Sequence, residues 1–287
     1  MADVTGKVTQ IFVYPIKSCA GVSLTESTLT KLGLAHDRQW LIVDDHGQFQ
    51  TQRQIPHLAW IEPVINGQFL QLSAPDLPAI SVPFATSDAR ELTVSIWRDQ
   101  LRALDMGDLV AKWLDEFLEV PGRNFRLVQF DTRQARQSDE FWCGPTPAGL
   151  QFADGFAINV LSEASLRHFN ERLLEAGVDP VDVRRFRPNL VVDGLEPHEE
   201  DQLSCLTIQT KGQAIELELV KPCPRCQIPA INPLTATSEP EINEVLGRYR
   251  QLPAMDHAVC FAMNAVVRLT EPAKLSLGMA FEADFRI

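Results

Sequence analysis

Nowhere in the sequence does an uninterrupted apolar run approach the roughly 18 residues of a membrane-spanning helix. Its opening, MADVTGKVTQ, has no basic stretch leading into an apolar one and no Arg-rich amphipathic pattern, so no export or organelle signal is expected. These absences lead to the expectation of a soluble, cytoplasmic protein that does not engage a membrane. Positive charge is also scarce: Lys plus Arg total 26 against 38 Asp plus Glu, a net charge of -12. That balance excludes wrapping nucleic acid or an anionic bilayer but leaves room for a local basic pocket that holds one small anion. There is no internal repeat and no low-complexity tract. The six histidines are scattered, and of the six cysteines (Cys19, Cys143, Cys205, Cys223, Cys226 and Cys260) only Cys223 and Cys226 form a close pair. Without an export signal, the even count is read as reduced thiols, most of them small buried residues, rather than a disulfide framework.

What is present is enough apolar material for a sizeable core. The chain has 287 residues, 45% of them hydrophobic, which suits one large or two ordinary domains. Short runs such as VTQIFVY, RQWLIVD, LTVSIW, FRLVQF, NLVVDG, AIELELV and NAVVRLT are rich in β-branched and aromatic residues and read as strands. Three segments read as helices. Asp108 caps the first, with Leu109, Trp113 and Phe117 on one face. Ser162 precedes the second, which carries Leu166, Phe169, Leu173 and Leu174 and stops at Gly177. Ser238 and Glu241 have capping-box spacing before the third. Many strands, few helices and no βαβ alternation predict a mixed α+β, β-rich architecture. The polar segment at 131–149 reads as a long surface loop or domain crossing, with a boundary near 120–125.

The stretch KPCPRCQIPAINP concentrates the chemistry. A zinc site takes four ligands, and here one pair stands alone. A redox dithiol should open a helix, which Pro229 and Pro233 oppose. Two structural thiols in a turn is the plainest account. A thiolate ligand to a metal carried by a cofactor is the remaining one, since Arg225 and Lys221 stand beside the pair and cations favour the deprotonated thiol. Such a cofactor would bring a phosphate, and anion-binding positions are available: Lys17 and Ser18 after a strand, Arg38 before another, Ser162 at a helix N-terminus, and Arg187 with Asn189. Each has an ordinary alternative. Lys17 can be solvated, Ser162 can be simply an N-cap, and Arg184, Arg185 and Arg187 can pair with acids such as Asp182.

Taken in order, YPIKSC, HDRQWLIVD, TQRQIPHL, LSEASL, RFRPNLVV and PCPRC followed by NP resemble the two-domain MOSC family, in the group that includes YcbX and the mitochondrial amidoxime-reducing component. The resemblance runs from about residue 7 to the C-terminus, and RFRPN and CxRC are its most specific parts. It implies an N-terminal MOSC-associated domain (residues 1–122) packed on a MOSC β-barrel domain (residues 123–287), with the molybdenum cofactor (molybdopterin carrying Mo) between them. It implies that Lys17, Ser18 and Arg38 contact the pterin phosphate from one side and Ser162, Arg187 and Asn189 from the other. Cys226 matches the molybdenum ligand and catalytic residue, with Cys223 its neighbour. Asn264 occupies a cofactor-side position where mitochondrial members have tyrosine. The implied activity is reduction of N-hydroxylated compounds (amidoximes, hydroxylamines), with electrons from an external ferredoxin, flavodoxin or haem protein. The alternative is a sulfur or molybdenum-cofactor carrier with a reactive cysteine and no turnover of its own. YcbX carries a ferredoxin domain, but no cysteine follows Cys260 here, so no built-in iron–sulfur cluster is expected; nor is pyridoxal phosphate, because the sulfurase domain that binds it is not in this sequence. Lys17, Arg38, Arg187 and Cys226 are therefore expected in one pocket, with the Ser162 helix aimed into it.

Overall fold

The computed structural model describes residues 2–85 and 88–286. Its centre is a closed barrel of seven strands. Around the circumference run Ile158–Ser162, Leu190–Asp193, Val4–Val13, Ala280–Phe285, Leu203–Gln209, Ala214–Pro224 and Ala258–Arg268, and the last pairs antiparallel with the first to close the ring. Only the Ile158–Ser162 and Leu190–Asp193 pair is parallel among these staves, and helix Glu163–Glu175 lies in the connection between them.

Alternation along the strands builds two cores from one sheet. Ile158 and Val160 point inward with Val8, Leu190, Val192, Leu206, Leu217, Met263 and Phe281, filling the barrel. Leu161, between the barrel lining and the helix, joins Phe169, Phe186, Val191, Phe261 and Leu246 in a second cluster under helices Glu163–Glu175 and Glu241–Tyr249. Closure leaves no unpaired edge around the ring itself.

The other unit is an antiparallel sheet in the order Trp40–Asp44, Phe125–Phe130, Asp99–Asp105, Glu91–Ile96, flanked by a three-stranded meander over Glu62–Asn66, Phe69–Ala74 and Leu77–Pro83. Both faces of the four-stranded sheet are covered. Trp40, Ile42, Phe125 and Leu127 pack with helix Asp108–Leu118 on one side, and Leu41, Val43, Val128 and Phe130 pack with Phe152 on the other. The β-rich, mixed architecture with a barrel matches the sequence expectation. Two strands cross the proposed 122/123 division: Val4–Val13 is a barrel stave, and Phe125–Phe130 pairs beside Trp40–Asp44. Among the described residues no helix is long and apolar enough to cross a membrane.

The helices differ from expectation in detail. In Asp108–Leu118 the buried stripe is Val110, Trp113, Leu114 and Leu118, while Leu109 is 81% exposed, because Trp113 and Leu114 set the rotation of the helix on its sheet. Gly107, with φ +97°, is its N-cap, not Asp108. Helix Glu241–Tyr249 begins after Pro240 without a side-chain cap, because the Ser238 backbone is paired with Ile231 and lies too early to cap it. The second helix starts as predicted: Ser162 is its N-cap, and its hydroxyl accepts hydrogen bonds from the Ala164 and Ser165 N–H groups.

The first strand carries its own sequence requirement. A Cβ at Gly6 would stand 2.1 Å from the Asp193 carbonyl oxygen and 2.4 Å from the Phe281 ring, both on neighbouring staves. Backbone cannot give way as a flexible side chain can, so Gly6→Ala should cost about 1–3 kcal/mol or more. Thermal unfolding of the variant is expected at a clearly lower Tm. An unchanged Tm would show that the first strand is not needed to close the barrel.

Candidate functional site

The site forms where the chain leaves the first stave. Residues 14–19 are clasped to residues 37–40: the Tyr14 N–H donates to Asp37 Oδ1 (2.8 Å), Arg38 N–H to the Tyr14 carbonyl (2.9 Å), Lys17 N–H to the Trp40 carbonyl (2.9 Å) and Trp40 N–H to the Pro15 carbonyl (3.0 Å). From the barrel side, Arg187 ends the short helix Val183–Phe186, and Pro188 prevents its continuation. Ser18, Arg38 and Arg187 all adopt left-handed backbone, with φ of 67°, 47° and 53°. Each such non-glycine residue costs roughly 1–3 kcal/mol and persists only where its surroundings over-determine it.

Those surroundings are polar and specific. Arg38 donates to Asp37 (2.6 Å), to Asn189 Oδ1 (3.0 Å) and to the Arg187 carbonyl (3.1 Å), joining the two units. Asn189 also accepts from the Asn159 N–H and donates to the Phe12 carbonyl. Arg187 donates through Nη1 to the Cys19 carbonyl (2.7 Å), while its Nη2 is buried with no partner. Arg38 and Arg187 both lie over the Tyr14 ring, at 4.3 and 4.2 Å. Burial pulls the Arg187 guanidinium down to about 10, and Arg38 adds to the effect, yet Arg187 stays cationic at neutral pH. Burial pushes the Tyr14 hydroxyl up to about 12, so the ring stays neutral. Lys17 is buried, donates to Asp154 (2.6 Å) and to the Phe152 carbonyl (3.1 Å), and is drawn below its usual range by burial, with Asp154 opposing.

These groups line a cavity of about 310 Å³ together with Cys223, Cys226, Asn159 and Asn264. Six cations face it, Lys17, Arg38, Arg53, Arg185, Arg187 and Arg225, and Asp154 is the one carboxylate among its described lining residues. Lys17, Arg38, Arg187 and Cys226, expected in one pocket, all line this cavity, and so do Ser18, Asn189 and Asn264.

The cysteine pair is resolved by its backbone. Cys223 lies at a bulge in the pairing of Ala214–Pro224 with Ala258–Arg268, and it is half-buried; Cys226 is past the strand end and exposed. Arg225 between them is a clamp. Its Nε donates to the Phe261 carbonyl and its Nη1 to the Phe186 carbonyl, both at 2.8 Å, and its N–H to the Val259 carbonyl at 2.8 Å. The Asn243 amide donates to the Cys226 carbonyl (3.1 Å). Of the two cations expected to favour a deprotonated thiol, Arg225 does pull Cys223 down, but burial outweighs it and raises that thiol, while Lys221 lies 4.8 Å from the Trp142 ring and does not line the cavity. Among the described residues no cluster of three or more His, Cys, Asp or Glu could hold a metal, so the pair lacks the co-ligands of a tetrahedral zinc site.

Ser162 is the site residue that the structure does not bring to the cavity. Its helix N-terminus already has an anion: the buried Glu200 carboxylate accepts from the Ser162 N–H (3.2 Å) and the Ser165 hydroxyl (2.7 Å). Conversely, Arg53, Arg185, Asn159 and Asp154 line the cavity without having been singled out. Arg53 was visible only inside TQRQ, where the buried Thr51 and Gln52 anchor the segment that presents it.

Comparison with known proteins agrees with this geometry. The family described as the MOSC N-terminal beta barrel domain matches residues 5–121, and the MOSC domain matches residues 147–281. Mitochondrial amidoxime reducing component 2 of Rattus norvegicus is 34% identical over 257 residues, covering 85% of this chain and 72% of that protein. Mitochondrial amidoxime-reducing component 1 of Homo sapiens is 31% identical over 256 residues, covering 86% and 72%. Molybdenum cofactor sulfurase of Danio rerio is 34% identical over 251 residues, covering 82% of this chain but 29% of that much longer protein.

The Ser162 helix carries a pH dependence of its own. Burial pushes Glu200 up to about 7 from an ordinary 4.5, against the opposing bond from Ser165. A carboxyl raised in the folded state imposes no penalty below about pH 4.5, an increasing one as pH rises, and its full penalty above about 7, on the order of 3 kcal/mol. Glu200→Gln keeps the shape without the charge. It should raise Tm at pH 8 relative to the wild type and have little effect at pH 4.5; an equal gain at both values would contradict a buried, reluctantly ionised Glu200.

Proposed function

Since the chain belongs to the MOSC family, with the MOSC N-terminal domain preceding the MOSC domain, we propose that its cavity binds the molybdenum cofactor and that the protein reduces N-hydroxylated compounds such as amidoximes and hydroxylamines. At the level of the family it groups with oxidoreductases, through relatives named as amidoxime-reducing components. The observation that carries the reading is the concentration of six cations and an exposed thiol in one cavity of a chain whose net charge is -12. Lys17, Arg38 and Arg185 have carboxylate partners and Arg225 is held by carbonyls, but the excess of positive charge around the cavity still favours an anion there. The unpartnered Arg187 Nη2 is a donor held ready for one.

The residues fit a cofactor that brings its own metal ligands. Arg38, Arg187, Ser18 and Asn189, with Lys17 behind Asp154, would hold the pterin phosphate, and Cys226 would supply the thiolate to molybdenum. When bound, the cofactor supplies two-electron redox chemistry and an acceptor for the oxygen of an N–O bond. The net reaction takes two electrons and two protons per N–O bond and releases water. The electrons come from a separate ferredoxin, flavodoxin or haem protein. The chain's contribution is placement: Arg225 fixes the Cys226 loop to the barrel carbonyls, and Asn243 holds the Cys226 carbonyl from the adjacent helix. We place this activity in the cytoplasm, without nucleic acid or membrane. The exposure of Cys226 favours one second reading, a carrier that holds sulfur or molybdenum cofactor on that thiol.

The test is the molybdenum and pterin content of protein expressed with added molybdate, followed by reduction of benzamidoxime with an artificial electron donor. Cys226→Ala should abolish reduction, whereas Cys223→Ala should lower it roughly 10- to 100-fold, as neighbours of metal ligands do. Equal and complete loss in both variants would refute the one-ligand, one-neighbour assignment. A persulfide on Cys226 in protein without molybdenum would favour the carrier.

A further inference from the structure

A second cavity, of about 470 Å³, adjoins Cys226 and is lined by Arg53, Arg225, Cys226, Gln227, Asn243 and Val259. Cys226, Arg53 and Arg225 line both cavities, so the thiol stands where the two meet. The two guanidinium groups there are not equivalent. Arg225 is spent on the Phe186 and Phe261 carbonyls. Arg53 lies 4.8 Å from the Trp97 ring, its Nε makes only a long bond to Thr51 Oγ1 (3.4 Å), and it has no carboxylate partner among the described residues. Stacking on an aromatic face orients a guanidinium and leaves its in-plane N–H donors free. Asn243, which also lines this cavity, has its Nδ2 committed to the Cys226 carbonyl. The second cavity therefore offers, beside the thiol, one guanidinium without a carboxylate partner among the described residues.

Building on the proposed reductase function, we propose that this second cavity is the substrate site and that Arg53 makes it selective for N-hydroxylated compounds that also carry a carboxylate. Arg53 pairs with the carboxylate of the substrate. The overall charge of -12 would otherwise repel such a substrate, so a local unpaired cation is the element that admits it. Arg53 is a specificity residue here, not a participant in the redox chemistry.

The experiment compares 4-carboxybenzamidoxime with neutral benzamidoxime on the molybdenum-loaded protein at low ionic strength, using an artificial electron donor. Isothermal titration of the oxidised protein with each compound gives an independent readout. The ratio of kcat/KM, carboxylate over neutral, is expected to be tenfold or more in the wild type and to fall as salt rises. Arg53→Gln should bring the ratio near one, Arg53→Lys should keep most of it, and the Kd ratios should follow. A wild-type ratio of one or below, or the same ratio in Arg53→Gln, overturns the proposal. So does loss of molybdenum from Arg53→Gln with an unchanged ratio in the protein still loaded, which would assign Arg53 to the cofactor. If neither compound is reduced but titration shows the expected Kd ratio and its loss in Arg53→Gln, the reductase reading fails and the anion selectivity of the cavity stands.

Discussion

Two guanidinium groups sharing one tyrosine ring is the arrangement on which the site depends. Arg38 comes from one unit and Arg187 from the connection leading into a barrel stave, and both lie within 4.3 Å of the Tyr14 ring. Bringing two cations this close in a buried place is unfavourable unless their charge is spread over acceptors. The ring face supplies part of that, roughly 0.5–2 kcal/mol per contact. The Asp37 carboxylate, Asn189 Oδ1 and the carbonyls of Arg187 and Cys19 supply the rest. The left-handed backbone at Ser18, Arg38 and Arg187 is what directs these groups to a common point. Two buried groups of the arrangement, Arg187 Nη2 and the Tyr14 hydroxyl, are left without a partner, so the network is not closed on itself.

The barrel matters as a rigid support for two short departures from regularity. Its strands are over-determined by the alternation that fills both the interior and the helix-covered exterior. At one end, a bulge at Cys223 ends the ladder and leaves Cys226 unpaired beyond it. Bulges re-aim side chains at barrel rims. Here the bulge sits between Pro222 and Pro224, which have no N–H to give to the ladder, and Arg225 replaces the missing backbone bonds with side-chain ones to Phe186 and Phe261. The flanking prolines and the arginine of the CPRC sequence thus have a common purpose, which is to stop a strand and still hold its end in place.

Much of this was legible in the sequence because it rests on local rules. The alternating runs gave the strands, and Ser162 gave its helix start. The ordered motifs, by their resemblance to a family, pointed to Lys17, Ser18, Arg38, Arg187, Asn189, Asn264 and Cys226. The errors share a physical cause, which is that the partner lies far away in sequence. Ser162 read as an anion site because Glu200, which already fills that role, comes from a different segment. Arg225 was read only as a charge beside the thiols, and its role as a clamp was missed, because the carbonyls that capture it belong to Phe186 and Phe261. Arg53 was passed over because an arginine is notable only when its partners are known to be missing, and no reading of neighbours in sequence can show that. Leu109 was placed on the buried face because one helical turn does not say which way the sheet lies.

The stave Val4–Val13 has a consequence for how the protein comes into being. One of its two barrel neighbours, Ala280–Phe285, lies far away along the chain. The register pairs Val4 with Ala283 and Lys7 with Ala280, so closure of the ring spans almost the whole chain. Contacts of that sequence separation form slowly, because the intervening loop must be ordered before they are rewarded. Until that long-range pairing forms, the strand has an open hydrogen-bonding edge, while Trp40–Asp44 and Phe125–Phe130 pair across a much shorter stretch of chain. Closing the ring is therefore the step expected to set the pace of folding.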